Sequence, residues 1–412
     1  MLKKLIKIYK NKGFRKGTHD IVKKIMRDCY KFLTIKVLFP AVYKKNARKR
    51  LDEKKVVFIE VREPTVSGSF RYIYDRLKSE GSYHISEQYL RTSFTGKREY
   101  VRRVLGMLKD IANAGTVFLN DSTNALGHID LRPETKLIQL WHGCGAFKKF
   151  GLATGDLKFG ESSQEIRKYP YHKGYDLVTV SSPEVEWAYE QSMDIPHDAG
   201  IVKGIGVSRT DVFFDRGFLT GARENVRRVI PEAGDRKIIL YAPTFRGRVA
   251  TAEAPDRLDI EYLKGELGNE FFLLIKHHPF IKERPAIPKG CEDFAKDVSD
   301  ELAIDELLVS ADVCISDYSS LVFEYSLMER PMIFFAYDIE DYSDWRGFYY
   351  DYDEMTPGPV YTRTSEVAEY IKGLPESFES KDRQRVDDFR QKFMSGCDGH
   401  ATDRIIEFMK KN

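Results

Sequence analysis

The chain has 412 residues, 42% of them apolar and 31% charged, a balance that excludes intrinsic disorder and collagen and leaves room for two domains of ordinary size. Its five Cys (29, 144, 291, 314 and 397) are widely spaced with no CxxC, which excludes a zinc ribbon, speaks against a secreted disulfide framework and makes a reducing cytoplasm the simplest compartment. The net charge of +3 conceals an asymmetry: residues 1–50 hold 17 Lys and Arg against Asp20 and Asp28, a segment charge of +15 that leaves −12 for residues 51–412.

The basic segment is patterned. In residues 2–10, Leu2, Leu5, Ile6 and Tyr9 share one helical face and Lys3, Lys4, Lys7 and Lys10 take the other. Residues 21–33 repeat the design, with Val22, Ile25, Met26, Cys29, Phe32 and Leu33 as a stripe flanked by Lys23, Lys24, Arg27 and Lys31. No charge-free run is long enough to span a bilayer, and no small-residue cleavage site follows a signal-like stretch. The composition suits a helix lying in an anionic membrane surface. The alternative is a helix that packs its stripe on the protein and leaves the basic face in solvent. Nucleic acid is disfavoured by the absence of a recognition helix and by the acidic remainder of the chain.

From residue 51 onward, short β-branched runs alternate with amphipathic stretches. Strands are expected at 55–61, 116–120, 136–142, 177–182, 237–243, 271–279, 313–317 and 331–336. Their nearly continuous apolar character predicts parallel strands covered on both faces. Between them, Arg98–Ala114 aligns Val101, Val104, Leu105, Leu108 and Ile111 on one helical face. Ser182 is placed to cap another helix, with Pro183 in its first turn. This alternation predicts a doubly wound α/β fold. It occurs twice, separated by a polar helical segment at 213–236. The expected organisation is therefore a membrane-surface segment at 1–50 and Rossmann-like domains at 51–215 and 216–412, facing each other across a ligand-binding cleft at the strands' carboxyl ends. No P-loop, dinucleotide-binding glycine motif, nucleophile elbow or HExxH occurs.

Candidate chemistry gathers where strands end. Leu140-Trp141-His142-Gly143-Cys144-Gly145 puts a His beside accessible backbone, where it can act as a general base near neutral pH; the alternative is a core His at a Gly turn. Thr244 and Arg246, in Tyr241-Ala-Pro-Thr-Phe-Arg-Gly, suit a phosphate or acceptor contact, or else a capping Thr and a surface Arg. Lys276-His277-His278-Pro279 ends an apolar strand. Adjacent strand side chains point to opposite faces, so one metal is not expected to take both His, and His278, beside Pro279, is the preferred functional one. Ser316-Asp317-Tyr318-Ser319-Ser320 opens a helix whose free N–H groups and hydroxyls can hold an anion, and Glu324, one turn in, is placed to accept ribose hydroxyls. Arg346 can neutralise a diphosphate. Asp351 and Asp353 form only a weak DxD pattern.

Together these stretches resemble the CDP-glycerol:glycerophosphotransferase family, the teichoic-acid primases and polymerases of Gram-positive bacteria. The resemblance is carried in order by LWHG, YAPTFRG, KHHP, SDYSSLVFEY, RPMIFFAYD and RGFYYDY with PGP. Gly206-Val-Ser-Arg209-Thr-Asp211 is similar to the family's G-x-P-R-x-D, with Ser208 in place of Pro, and DGHATDR (398–404) is similar to its closing helix. The resemblance covers about 137–410. It implies a GT-B-like architecture and a peripheral position on the cytoplasmic membrane face. It also implies transfer of glycerol or ribitol phosphate from CDP-glycerol or CDP-ribitol to an undecaprenyl-diphosphate-linked glycan, with loss of CMP. On that basis His142 is the expected base and His278 the second essential His. Thr244, Arg246, Pro279, Asp317, Ser319, Ser320, Glu324 and Arg346 form the expected donor site, with no cofactor and no obligatory metal. The alternative enzyme is a GT-B transferase moving a sugar from a nucleotide-sugar; a non-enzymatic alternative is an assembly scaffold.

Overall fold

The computed structural model describes residues 14–92, 94–157, 161–247, 251–255, 257–340, 342 and 347–411, with side-chain placement from Thr18. The helix expected at 2–10 lies outside the described residues.

Helix α1 (Phe14–Phe32) continues through a π-helical stretch (Leu33–Leu38) into α2 (Phe39–Asn46), whose Pro40 sits in the first turn where no N–H is needed. The segment is anchored at its far end. Phe39 and Tyr43 are buried, and the Tyr43 hydroxyl accepts from Arg132 N at 2.9 Å. Lys31 pairs with Glu165 at 3.1 Å and lies over the Tyr169 ring. The apolar stripe that runs along α1 into Leu33 does not take part in this packing: Ile25 is 55% exposed, Met26 67% and Leu33 58%.

The α/β body follows: β1 (Asp52–Glu60), α3 (Gly68–Glu80), β2 (His84–Tyr89), α4 (Lys97–Ile111), β3 (Ala114–Leu119), β4 (Lys136–Gln139), α5 (Ser163–Lys168), β5 (Leu177–Thr179), α6 (Glu186–Met193), β6 (Val202–Lys203) and α7 (Arg216–Val229). Then come β7 (Lys237–Tyr241), α8 (Ile260–Leu267), β8 (Phe271–Ile275), β9 (Ala295–Asp297), α9 (Ile304–Ser310), β10 (Val313–Ser316), α10 (Leu321–Ser326), β11 (Met332–Phe335), β12 (Val360–Tyr361), α11 (Thr364–Lys372), α12 (Arg383–Met394) and α13 (Ala401–Lys410). The strands form two six-stranded parallel sheets, ordered β2-β1-β3-β4-β5-β6 and β12-β11-β10-β7-β8-β9. Strands β8 and β10 are buried along their whole length, as parallel strands covered on both faces must be.

The chain divides into two compact units. One holds the described residues up to Val66 with Glu80–Ile138 and Gln164–Asp176; the other holds Ser67–Ser79, Gln139–Ser163 and Leu177 onward.

Local chemistry explains most element ends. The Asp215 carboxylate accepts from Gly217 N and Phe218 N to cap α7, and Asp259 accepts from Tyr262 N to cap α8. Ser182 makes no side-chain cap. Its carbonyl accepts from Val185 N, closing a 3₁₀ turn (Pro183–Val185) before α6, so the expected hydroxyl cap is replaced by backbone. Strand β4 ends at Gln139, three residues before the expected end, because Trp141 adopts φ +58° and leaves the sheet. Buried Asp211 accepts from Ala401 N at 3.2 Å and Thr402 N at 2.8 Å and so caps α13.

Candidate active site

All side chains of the candidate site belong to the second unit. The chain leaves β4 through Trp141, whose N–H donates to Gln139 Oε1 at 3.0 Å. A non-glycine residue at φ +58° costs about 1–3 kcal/mol and persists only where its surroundings over-determine it. Here the Trp141 ring packs on Phe150 and Tyr189 and stacks on the His142 imidazole, with centroids 4.5 Å apart and planes 29° apart. His142 is exposed, and its carbonyl accepts from Arg209 Nη1 at 2.8 Å. The following glycines let backbone come close. A Cβ on Gly143 would sit 3.7 Å from Ser320 Oγ, and one on Gly145 would lie 2.1 Å from the Phe323 ring. Gly145 N donates to Ser181 Oγ at 2.9 Å, and the Tyr189 hydroxyl donates to the Gly145 carbonyl at 3.0 Å. The loop that carries His142 thus passes Ser320 at Gly143.

The ends of β7 and β10 are knotted together. Thr244 donates to Asp317 Oδ1 through its N–H (2.8 Å) and its hydroxyl (2.7 Å), and Tyr318 N donates to the same atom. Arg246 makes four hydrogen bonds: Nη1 to Asp317 Oδ2 (2.9 Å) and to the Thr244 carbonyl (2.7 Å), and Nε and Nη2 to the two oxygens of Asp338 (2.6 and 3.0 Å). Tyr318 and Tyr342 rings cover the guanidinium. Burial works to lower the Arg246 pKa, but the two carboxylates hold it above its ordinary value. Thr244, Arg246 and Asp317, expected as donor contacts, are therefore engaged with one another and with Asp338, which sequence reasoning did not single out although it closes RPMIFFAYD. Arg246 is not the surface residue of the alternative reading either.

Beyond the knot, Ser319 is half-buried and Ser320 exposed. Leu321 N, at the start of α10, donates to Ser319 Oγ at 3.4 Å. Glu324, expected to meet ribose, is only 3% exposed and turned inward, with Oε1 3.6 Å from Arg209 Nη1. Burial raises its pKa, and Arg209 opposes that shift.

The end of β8 separates the two adjacent histidines. His277 is buried, and burial lowers its pKa. His278 is half-buried between the rings of Phe245 (4.9 Å) and Phe280 (4.6 Å). Its Nδ1 accepts from Phe280 N at 3.2 Å, which puts the proton of the neutral ring on Nε2. Pro279 is exposed. Arg346 lies outside the described residues. Asp351 and Asp353 are exposed at a 3₁₀ turn, and among the described residues no three His, Cys, Asp or Glu side chains converge to hold a metal ion. The groups at these strand ends are thus the exposed His142 on the loop that passes Ser320, the half-buried Ser319 and the half-buried His278, residue types suited to proton transfer and to holding an anion.

A model of the CDP-glycerol:poly(glycerophosphate) glycerophosphotransferase family matches residues 41–411. The chain is similar to the teichoic acid ribitol-phosphate primase of Bacillus spizizenii, 32% identical over 385 residues covering 92% of this chain and 97% of that one. It is also similar to the teichoic acid poly(ribitol-phosphate) polymerase of the same organism, 34% identical over 359 residues covering 87% of this chain. The matched part spans 56% of that polymerase's length. The solved wall teichoic acid polymerase TagF shares the GT-B-like fold, with a TM-score of 0.74 at 24% identity over 94% of this chain and 96% of that one. The match along nearly the whole body of the chain makes the protein a glycerophosphotransferase-type transferase, and it belongs to the CDP-glycerol:poly(glycerophosphate) glycerophosphotransferase family.

Proposed function

We propose that the protein transfers an alditol phosphate from a CDP-alditol to a hydroxyl of a membrane lipid-linked glycan and releases CMP, in teichoic-acid or related polymer synthesis. The observation that carries this reading is the exposed His142 on a loop set against Ser320. His142 takes the proton of the acceptor hydroxyl as its oxygen attacks the alditol-bearing phosphorus. The anhydride bond to CMP breaks, and its electron pair leaves with the CMP phosphate. Trp141 beneath the imidazole favours the cationic ring that results. His278, with its proton on Nε2, donates to phosphoryl oxygens. It need not protonate the leaving group, because a phosphate monoester with a second pKa of about 6 departs as an anion. Ser319 and Ser320 complete the anion contacts, and the Thr244–Arg246–Asp317 knot keeps the strand ends that carry them in place.

The family's description names CDP-glycerol, and the two relatives above are named for ribitol phosphate, so the deciding experiment compares both. Purified protein in liposomes is given CDP-ribitol, CDP-glycerol or a UDP-sugar, with and without a lipid-linked disaccharide. Acceptor-dependent CMP from one CDP-alditol is the expected result, and product mass counts the units added. Turnover of a UDP-sugar alone would sink the reading.

The proposed acceptor implies a peripheral membrane position, on the cytoplasmic face. Among the described residues no helix is long and apolar enough to cross a membrane. The support for surface binding is α1 and the start of the π-helical stretch after it, where Ile25, Met26 and Leu33 are exposed near Lys23, Lys24 and Arg27. Flotation with anionic vesicles is expected for the full chain and is expected to be lost in Ile25→Glu/Met26→Glu with the unfolding midpoint unchanged. Retained flotation in that variant would argue against α1 as the membrane face.

A further inference from the structure

Arg209 lies on the 3₁₀ stretch Ser208–Phe214, and its side chain is 17% exposed. Its guanidinium joins three separate parts of the second unit. Nη1 donates to the His142 carbonyl at 2.8 Å, Nη2 pairs with Asp305 of α9 at 2.8 Å, and Nη1 stands 3.6 Å from Glu324 of α10. The distances rank these partners. The carbonyl is within hydrogen-bond range and the Glu324 carboxylate is outside it. Arg209 Nε and Glu324 Oε2 make no hydrogen bond among the described residues. A guanidinium placed only to neutralise buried acids would close on Glu324; this one gives up that contact to hold a backbone oxygen. The oxygen belongs to the residue between Trp141, at φ +58°, and Gly143, which has no side chain to brace it. Such a turn needs an external hold, and a planar fork gives a more fixed one than a flexible ammonium.

We propose that Arg209 is a positioning residue for the transfer reaction: it clamps the His142 backbone and ties it to Asp305 of α9, with Glu324 of α10 standing 3.6 Å away, so that the imidazole keeps its place. The proposal rests on the reading of His142 as the base. Arg209 itself need not touch substrate.

The test is a cycle in the full chain: wild type, Arg209→Lys, His142→Ala and the double variant. CMP release is followed with the preferred CDP-alditol and lipid-linked acceptor, using long single-turnover incubations for the slow variants. Arg209→Lys keeps the buried charge and loses the fork. Its kcat is expected to fall roughly 10²-fold, the usual consequence of a misplaced catalytic group. Donor Kd and unfolding midpoint should stay near wild type. In the His142→Ala background the same change should cost under about threefold, because no base remains to be positioned. If Arg209→Lys does not fold, Asp305→Asn loosens the same fork and should show a several-fold loss that also vanishes without His142. A wild-type kcat in the folded variant, or an equal loss in both backgrounds, would overturn the proposal. Wild-type turnover by His142→Ala would instead remove the reading of His142, and the clamp with it.

Discussion

Arg246 and Arg209 leave different motif-bearing loops of the second unit, and each is set between two acidic side chains. Arg246 directs four hydrogen bonds at Asp317, Asp338 and Thr244, all within the ends of one sheet. Arg209 meets one carboxylate fully, stands off the other and reaches the carbonyl of His142. The first arrangement holds a scaffold; the second holds a residue that faces solvent. A charged residue in a family motif is therefore not by itself a substrate contact, and what separates the two is where its remaining N–H groups go.

The sharpest way to break this comparison is to remove what Arg209 holds. His142→Ala should lower kcat by about 10²–10⁴-fold, the usual worth of a general base, with donor affinity kept, read as acceptor-dependent CMP release. An unaffected rate would leave Arg209 as another scaffold residue. On the other side, Arg246→Ala leaves Asp317, 2% exposed, without its cation and should destabilise the fold by about 3–5 kcal/mol in denaturant unfolding. A loss of activity without that instability would instead make Arg246 a substrate ligand. Ser320→Ala removes an exposed hydroxyl: stability should stay within about ±0.5 kcal/mol while turnover falls by less than tenfold. The adjacent histidines give a smaller version of the contrast. Burial lowers the His277 pKa, so below about pH 6.5 the unfolded chain binds a proton that the folded one does not. Stability should therefore fall as pH drops from 7 toward 5, and His277→Asn should flatten that slope. An unchanged slope would mean that His277 is not the group responsible.

Legibility in the sequence followed burial. The eight expected strands correspond to β1, β3, β4, β5, β7, β8, β10 and β11, which fill the interior of the two sheets. The four unexpected ones, β2, β6, β9 and β12, are the four sheet edges. An interior parallel strand is apolar on both faces and reads as a continuous run. An edge strand such as His84–Tyr89, half-exposed with Glu and Gln inside it, carries no such signal. The same limit governs the site. That the candidate residues would stand after β4, β7, β8 and β10 followed from strand ends and turn residues. That Glu324 points inward to Arg209, and that Arg246 is enclosed by Asp338 from ninety-two residues further along the chain, depends on tertiary pairing that no local pattern encodes.

Gly145 carries a last consequence. Its backbone lies flat on the Phe323 ring, with room for hydrogen alone, so the loop bearing His142 and the helix bearing Glu324 meet without a spacer. This joint is incompressible: any library over the loop must keep position 145 as Gly, or redesign Phe323 with it. The exposed Pro279 is a more tolerant position, since burial does not constrain its side chain.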